Sequence, residues 1–167
     1  MDIRKVTPEE VAALQHISRQ TFFETFSAFN TEENMQQYLS TQLTADKIST
    51  ELQQSLFYFA VHEAQIIGYL KLNTGEFQTA PQDGKALEIE RIYVLKDFHG
   101  LKVGQALYEQ ALDVAQQIKA PYIWLGVWEK NLRAIGFYKK NGFLEFDKHI
   151  FKLGDDEQTD IMMKKNL

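Results

Sequence analysis

Two glycines, Gly100 and Gly104, lie in a polar stretch between a strand-like segment, LEIERIYV, and a helix-like one, QALYEQALDVAQQIK. A strand that feeds a glycine-containing loop opening a helix leaves several backbone N–H groups unpaired, and the helix dipole adds about half a positive charge there. That arrangement suits an anion, most often a phosphate. Two common phosphate motifs do not fit. A P-loop needs Lys-Ser/Thr after its last glycine, whereas Gln105 and Ala106 follow Gly104. A dinucleotide-binding turn needs three glycines at fixed spacing, and only these two are present. Just upstream, Glu88 and Glu90 stand two residues apart, the spacing that puts two carboxylates on one strand face. His16, His62 and His149 show no metal-ligand spacing, and no metal is expected.

The elements that must position these groups follow from periodicity. In LEIERIYV, alternation places Leu87, Ile89 and Tyr93 on one face and Glu88, Glu90, Ile92 and Val94 on the other. Val103, Leu107, Ala111, Val114 and Ile118 recur at helical spacing, with Gly104 in the first turn. Upstream, Asp2 to Val6 reads as a strand, and Thr7-Pro8-Glu9-Glu10 as a capping box opening a helix that runs to about Phe26. Further helices are expected from Thr31 to Leu39 and from Thr44 to Gln54. Leu56 to His62 and Gln65 to Asn73 read as a hairpin turning at Glu63-Ala64. Gly75 to Ala86 reads as a polar loop with nothing to pack. After Pro121, YIWLGV is the apolar run of a strand buried on both faces. A short helix from Asn131 to Lys140 ends at Asn141-Gly142. Two last strands, Phe143 to Leu153 and Gln158 to Lys165, flank an acidic turn, Gly154-Asp155-Asp156-Glu157. The order of elements is α/β, and no repeat or linker interrupts it.

Composition narrows the function classes. The chain has 167 residues, 44% of them hydrophobic, enough for one domain spanning 1–167 with a packed core. It has no cysteine, which removes disulfides, thiolate chemistry and zinc-finger ligand sets. The start, MDIRKVTPEE, carries charges where a signal peptide needs an apolar run, and Leu56 to Val61 is too short to span a bilayer. A cytoplasmic address and no membrane partner are the expectation. A net charge of −5 argues against general nucleic-acid binding and is mildly compatible with a cationic substrate.

A second motif makes the first specific. WLGVWEKNLRAIGFYKKNGF contains Asn-x-x-Ala-Ile-x-Phe-Tyr-x-x-x-Gly-Phe, carried by Asn131, Ala134, Ile135, Phe137, Tyr138, Gly142 and Phe143. With the anion loop upstream and a strand between, the pattern resembles the GNAT superfamily of N-acetyltransferases. In that family the loop reads Gln/Arg-x-x-Gly-x-Gly/Ala, and its amides hold the pyrophosphate of coenzyme A. The matching hexad is His99-Gly100-Leu101-Lys102-Val103-Gly104. Its last glycine fits, whereas His99 stands for Gln/Arg and Lys102 for the first glycine; the amides do not depend on those side chains. The strings LEIERIYV, WLGVWEKN and GDDEQTDIMMKK further resemble the bacterial spermidine/spermine N-acetyltransferases of the PaiA type. The resemblance implies a GNAT fold: an α/β (α+β) domain with a central mixed, mostly antiparallel sheet of about six to seven strands flanked by helices.

It also implies acetyl transfer from acetyl-CoA to a primary amine. An alkylammonium has a pKa near 10.4, so freeing its lone pair at pH 7 costs roughly 4–5 kcal/mol. Glu88 or Glu90 would take that proton, directly or through water, with Glu88 the better match by family spacing. Both are expected on the face of Ile92 and Val94, which with Tyr93 would align the pantetheine arm. A strand amide near Val94 would meet the charge growing on the thioester oxygen. Tyr138 would protonate the departing thiolate. Cofactor contacts are expected from His99 through Gln105, from Asn131 and Phe137, and from Lys102, Lys139 and Lys140 toward the phosphates. Trp128 and Glu129 would meet the amine by cation–π contact and charge. Phe26, in a cluster with Phe22, Phe23 and Phe29, would either pack the core or wall the substrate entrance. The acidic turn would attract a polycation.

Three functions stay open on these residues. The first is a polyamine or small-amine acetyltransferase; the second acetylates a protein N-terminus or lysine. The third is a regulatory module that binds acetyl-CoA with little turnover. A homodimer is plausible by resemblance.

Overall fold

Caps and turns fix where each segment begins. In the computed structural model, which describes residues 1–167, the Thr7 amide donates to Glu10 Oε1 at 3.0 Å and Glu10 is gripped by Arg4 at 2.8 Å. The first turn after Thr7 is therefore a short 3-10 turn, Pro8–Glu10, and α1 proper runs Val11–Phe26. Thr31 Oγ1 accepts from the Asn34 amide to start α2 (Glu32–Gln42), and Thr44 Oγ1 accepts from the Lys47 amide to start α3 (Ala45–Gln54). The other helices are α4 (Val103–Gln117) and α5 (Leu132–Lys140). None of the helices is long and apolar enough to cross a membrane.

The strands are β1 (Asp2–Lys5), β2 (Leu56–His62), β3 (Gln65–Thr74), β4 (Leu87–Val94), β5 (Tyr122–Trp128), β6 (Leu144–Leu153) and β7 (Asp156–Asn166). They form one seven-stranded sheet in the order β1-β2-β3-β4-β5-β7-β6. Every neighbouring pair is antiparallel except β4 and β5. This is the mixed, mostly antiparallel sheet flanked by helices that the motifs implied. The β6–β7 turn is tighter than expected: Asp156 and Glu157 already pair with Leu153 and Lys152, leaving Gly154-Asp155 as the turn.

Each sheet face has its own core. On one, Leu107, Ala111 and Val114 of α4 pack on Leu70, Leu87, Ile89, Leu125 and Met163. On the other, Leu14, Ile17 and Phe22 of α1, with Met35 and Leu39 of α2 and Ile48 of α3, cover Phe57, Phe59 and Tyr69. At roughly 1.5–3 kcal/mol per fully buried large apolar side chain, these two layers dominate the stability of the sheet.

Two irregularities in β4 matter most. A β-bulge shifts the β3–β4 register, so that Ile89 pairs with Leu72 and Arg91 with Lys71, with Glu90 as the extra residue. The bulge reverses the alternation beyond it. Ile92 and Val94 join Leu87 and Ile89 against the α4 core, and Tyr93 packs toward the α1–α3 core. The expectation that Ile92 and Val94 share a face with Glu88 and Glu90 is thus overturned, and Tyr93 takes that side instead. Second, β4 and β5 pair only through Leu87–Ile123, Glu88–Trp124 and Ile89–Leu125, then diverge.

The 75–86 segment is also different from its reading as an unpacked loop. Gln78 Oε1 accepts from Trp124 Nε1 at 2.7 Å, Ala86 is fully buried, and Ala80 packs beside it on Trp124 and Met162. Tyr122, whose hydroxyl meets Gln82, supplies part of the surface it rests on.

Candidate active site

Where β4 and β5 diverge, a cleft of about 1140 Å³ opens, walled by α4, α5 and the end of α1. It holds most of the residues singled out from the sequence. Leu101 and Glu129 are outside it. Leu101 is 62% exposed, contributing only backbone to the loop. Glu129 follows Trp128 at the strand end, where its amide still donates to Thr159 O; alternation turns it from the face that Trp128 occupies.

One end of the cleft is the loop before α4. No backbone N–H from Gly100 through Gln105 donates to a protein acceptor; the first amide so bonded is that of Ala106, to Lys102 O. This row of free donors at a helix N-terminus fits an anion such as a pyrophosphate. Gly100 has φ +85°, and Lys102 takes the left-handed conformation, φ +63°, that glycine usually supplies. The loop is anchored by His99, whose Nε2 lies 2.9 Å from Val94 O and so donates to that carbonyl. Lys102, Val103 and Gly104 line the cleft, as do Gln105 and Lys140. Gln105 Nε2 donates to Asn141 Oδ1 at 3.2 Å, tying α4 to α5. Lys139 instead pairs with Glu145 at 3.6 Å and lies outside the cleft.

The strand side carries the carboxylates. Glu88 is 2% exposed. Its Oε1 accepts from Asn73 Nδ2 at 2.9 Å and the Thr79 amide at 2.8 Å, and its Oε2 from Thr79 Oγ1 at 2.5 Å. Burial raises its pKa above the ordinary carboxylate value, with the Asn73 and Thr79 hydrogen bonds opposing. Glu90 differs. Burial would raise it too, but Arg91 and Lys71 hold it below the ordinary value. Lys71 Nζ is 2.7 Å from Glu90 Oε1, Arg91 Nη2 is 3.3 Å from Oε2, and Glu51 completes the set by pairing with both cations. Glu90 is a fixed charge, whereas Glu88 retains one lone pair on Oε2 and the more basic carboxylate.

Opposite them, α5 presents Tyr138. Asn131 Oδ1 accepts from the Ala134 amide at 3.2 Å to cap the helix, and Gly142, φ +94°, ends it. Tyr138 is 6% exposed and packed against Phe137 and Phe143, with no hydrogen bond from its hydroxyl to the protein. Burial pushes the phenol well above its ordinary pKa, so it stays protonated. Leu95 N donates to Ile67 O across β3, and alternation then turns the amides of Ile92 and Val94 toward the gap left by β5.

The far end is aromatic. Phe26 and Phe29 each stand 5.1 Å from Trp128, and Phe26 lies 6.0 Å from Phe151. Phe22 and Phe26 are buried, so the cluster serves as both core and wall; Phe23 is exposed. The turn at Gly154-Asp155 is not part of the cleft.

Sequence reasoning missed Lys71, Asn73, Thr79 and Asp160. Lys71 and Asn73 had a signal: two polar residues at spacing two inside the apolar strand GYLKLN, now 5% and 1% exposed. Thr79 had none, because it reaches Glu88 from a loop whose packing depends on Trp124.

The model of the acetyltransferase (GNAT) family matches residues 12–143. The chain is 38% identical over 167 residues to an uncharacterized N-acetyltransferase of Lactobacillus delbrueckii subsp. lactis, covering 99% of this chain and 96% of the relative. It is 23% identical over 171 residues to a spermidine N(1)-acetyltransferase of Thermoplasma acidophilum, covering 99% and 96% of the two. Its fold is similar to the crystal structure of the PaiA N-acetyltransferase from Thermoplasma acidophilum in complex with coenzyme A. The TM-score is 0.81 at 23% identity, over 99% of this chain and 98% of that one.

Proposed function

Because the chain belongs to the acetyltransferase (GNAT) family, and is an acetyl-CoA-dependent N-acetyltransferase, we propose that its acceptor is the primary amine of a small molecule, a polyamine of the spermidine type. The observation that carries this reading is the cleft's polarity. Free amides and lysines lie at the loop before α4, carboxylates line the β4 side, and aromatic rings close the far end. Similarity over nearly the whole chain to a spermidine N(1)-acetyltransferase supports the same acceptor class.

Acetyl-CoA supplies an activated acetyl thioester on a long arm ending in phosphates. In our reading the Gly100–Gln105 amides receive the pyrophosphate, with Lys102 and Lys140 beside it. The free Ile92 and Val94 amides hold the extended arm in the gap between β4 and β5, and the Val94 amide faces the oxygen where charge grows. Glu88 Oε2 accepts the proton of the acceptor ammonium through a chain of waters, the role its raised pKa suits. Glu90, neutralised by Lys71 and Arg91, keeps its charge and positions Asn73. The Tyr138 hydroxyl, protonated and unpartnered, donates its proton to the departing sulfur.

A thiol-release assay across spermidine, spermine, monoamines, amino acids and short peptides tests the acceptor. Highest turnover on spermidine or spermine is expected. Turnover confined to peptides would move the function to protein acetylation. Tight CoA binding without turnover on any acceptor would point to a regulatory module.

A further inference from the structure

Nearly every acidic group of the cleft already has a partner. Glu88 is held by Asn73 and Thr79, Glu90 by Lys71 and Arg91, and Glu24 Oε1 accepts from the Lys96 amide. Asp160 is the exception. It lines the cleft and is half-buried, yet it accepts no hydrogen bond and has no cationic nitrogen within salt-bridge distance. Its oxygens are open to the cleft, with the His149 imidazole of β6 the titratable group beside it.

The surroundings keep that carboxylate open. Asp160 sits on β7 opposite Trp128 of β5 and His149 of β6. Next to it on β5 is Gly126, where a Cβ would lie 3.6 Å from Asp160 Oδ2 and 3.7 Å from His149 Cε1. Glycine there leaves the carboxylate uncovered on the cleft side. Trp128, Phe26 and Phe29 form the adjoining wall. One free carboxylate beside aromatic faces is the chemistry that recognises an alkylammonium, by charge and by cation–π attraction. Adjacent strands lie about 4.8 Å apart, which sets β7 at least about 10 Å from β4, on the order of the length of a short diamine.

We propose that Asp160 binds the second, non-reacting ammonium of a diamine or polyamine acceptor and thereby sets preference for such acceptors over monoamines. This rests on the small-amine reading above. It adds a residue outside the anion loop and the Asn131–Phe143 motif, within the string GDDEQTDIMMKK.

The test compares hexylamine with hexamethylenediamine, equal in carbon chain but differing in the second charge, for the wild type and for Asp160→Asn and Asp160→Glu. A charged hydrogen bond is worth about 1.5–3 kcal/mol, so Asp160→Asn should lower kcat/KM for the diamine about 10- to 100-fold, mainly through KM. Its hexylamine kinetics and CoA affinity by calorimetry should stay as in the wild type, and Asp160→Glu should restore part of the diamine preference. Equal losses on both amines would mark Asp160 as structural and overturn the proposal. An unchanged diamine preference would overturn it as well, with the small-amine reading intact. A wild type that binds CoA but acetylates neither amine would sink that reading first, and this one with it.

Discussion

A single side-chain amide serves two carboxylates: Asn73 Nδ2 lies 2.9 Å from Glu88 Oε1 and 2.8 Å from Glu90 Oε1. Alternation puts both glutamates on the face where Asn73 stands, and Asn73 pairs with Glu88 in register, within reach of the bulge residue Glu90. Replacing Asn73 by Ala removes one of the hydrogen bonds that oppose the burial-driven rise of the Glu88 pKa. The acidic limb of the kcat/KM profile should therefore move to higher pH. The loss in rate should be greatest at low pH and recover as pH rises, because the base acts deprotonated. A profile that stays in place would remove Glu88 as the base.

Tyr138→Phe keeps the ring packed on Phe137 and Phe143 and deletes only the unpartnered hydroxyl. Loss of a general acid typically lowers kcat by about 10²- to 10⁴-fold. CoA affinity, read by calorimetry, should be unchanged. Turnover close to wild type would reduce Tyr138 to a packing residue.

Lys102 combines a charge in the loop before α4 with a left-handed backbone, φ +63°. Lys102→Ala and Lys102→Gly both delete the charge, and only glycine relieves the backbone. The glycine variant should be more stable than the alanine variant by about 1 kcal/mol in denaturant unfolding. If the charge meets a phosphate, the two variants should lose CoA affinity equally.

Glu10, pulled down to about 2 by its hydrogen bond with Arg4 and further by Thr7, marks how the first helix is tied to β1. A carboxylate with a depressed folded-state pKa stabilises above its unfolded value, and that contribution fades as pH falls through about 2. The pair is partly exposed, so Glu10→Gln should cost less than about 1 kcal/mol at pH 7. The gap between variant and wild type should close on acidification. A gap that persists to the lowest pH would assign the effect to packing.

The fold was legible because the two motifs bracket β5, and because caps at Thr7, Thr31 and Thr44 and the turn at Glu63-Ala64 speak locally. The cleft's contents were legible for the same reason: a motif names residues on consecutive elements. What failed was parity in β4. LEIERIYV alternates well enough to look unbroken, and an inserted bulge residue leaves no mark on a period-two pattern when both registers put apolar side chains inward. Asp160 was invisible for another reason. Its exposure to the cleft depends on Gly126, a residue 34 positions earlier whose only contribution is missing bulk.

After Ile89 and Leu125 the sheet has a seam in its middle rather than only at its margins. Unpaired strand edges are what proteins usually blunt or cover to avoid sticking to one another. In the proposed function the covering is borrowed from a small molecule, the arm of CoA. Amide hydrogen exchange at Ile92 and Val94 should slow when CoA is added, and heat-induced self-association should diminish with it. The enzyme's shelf life is then tied to its co-substrate pool: starved of CoA, a cell would hold molecules that are idle and also more readily lost to aggregation.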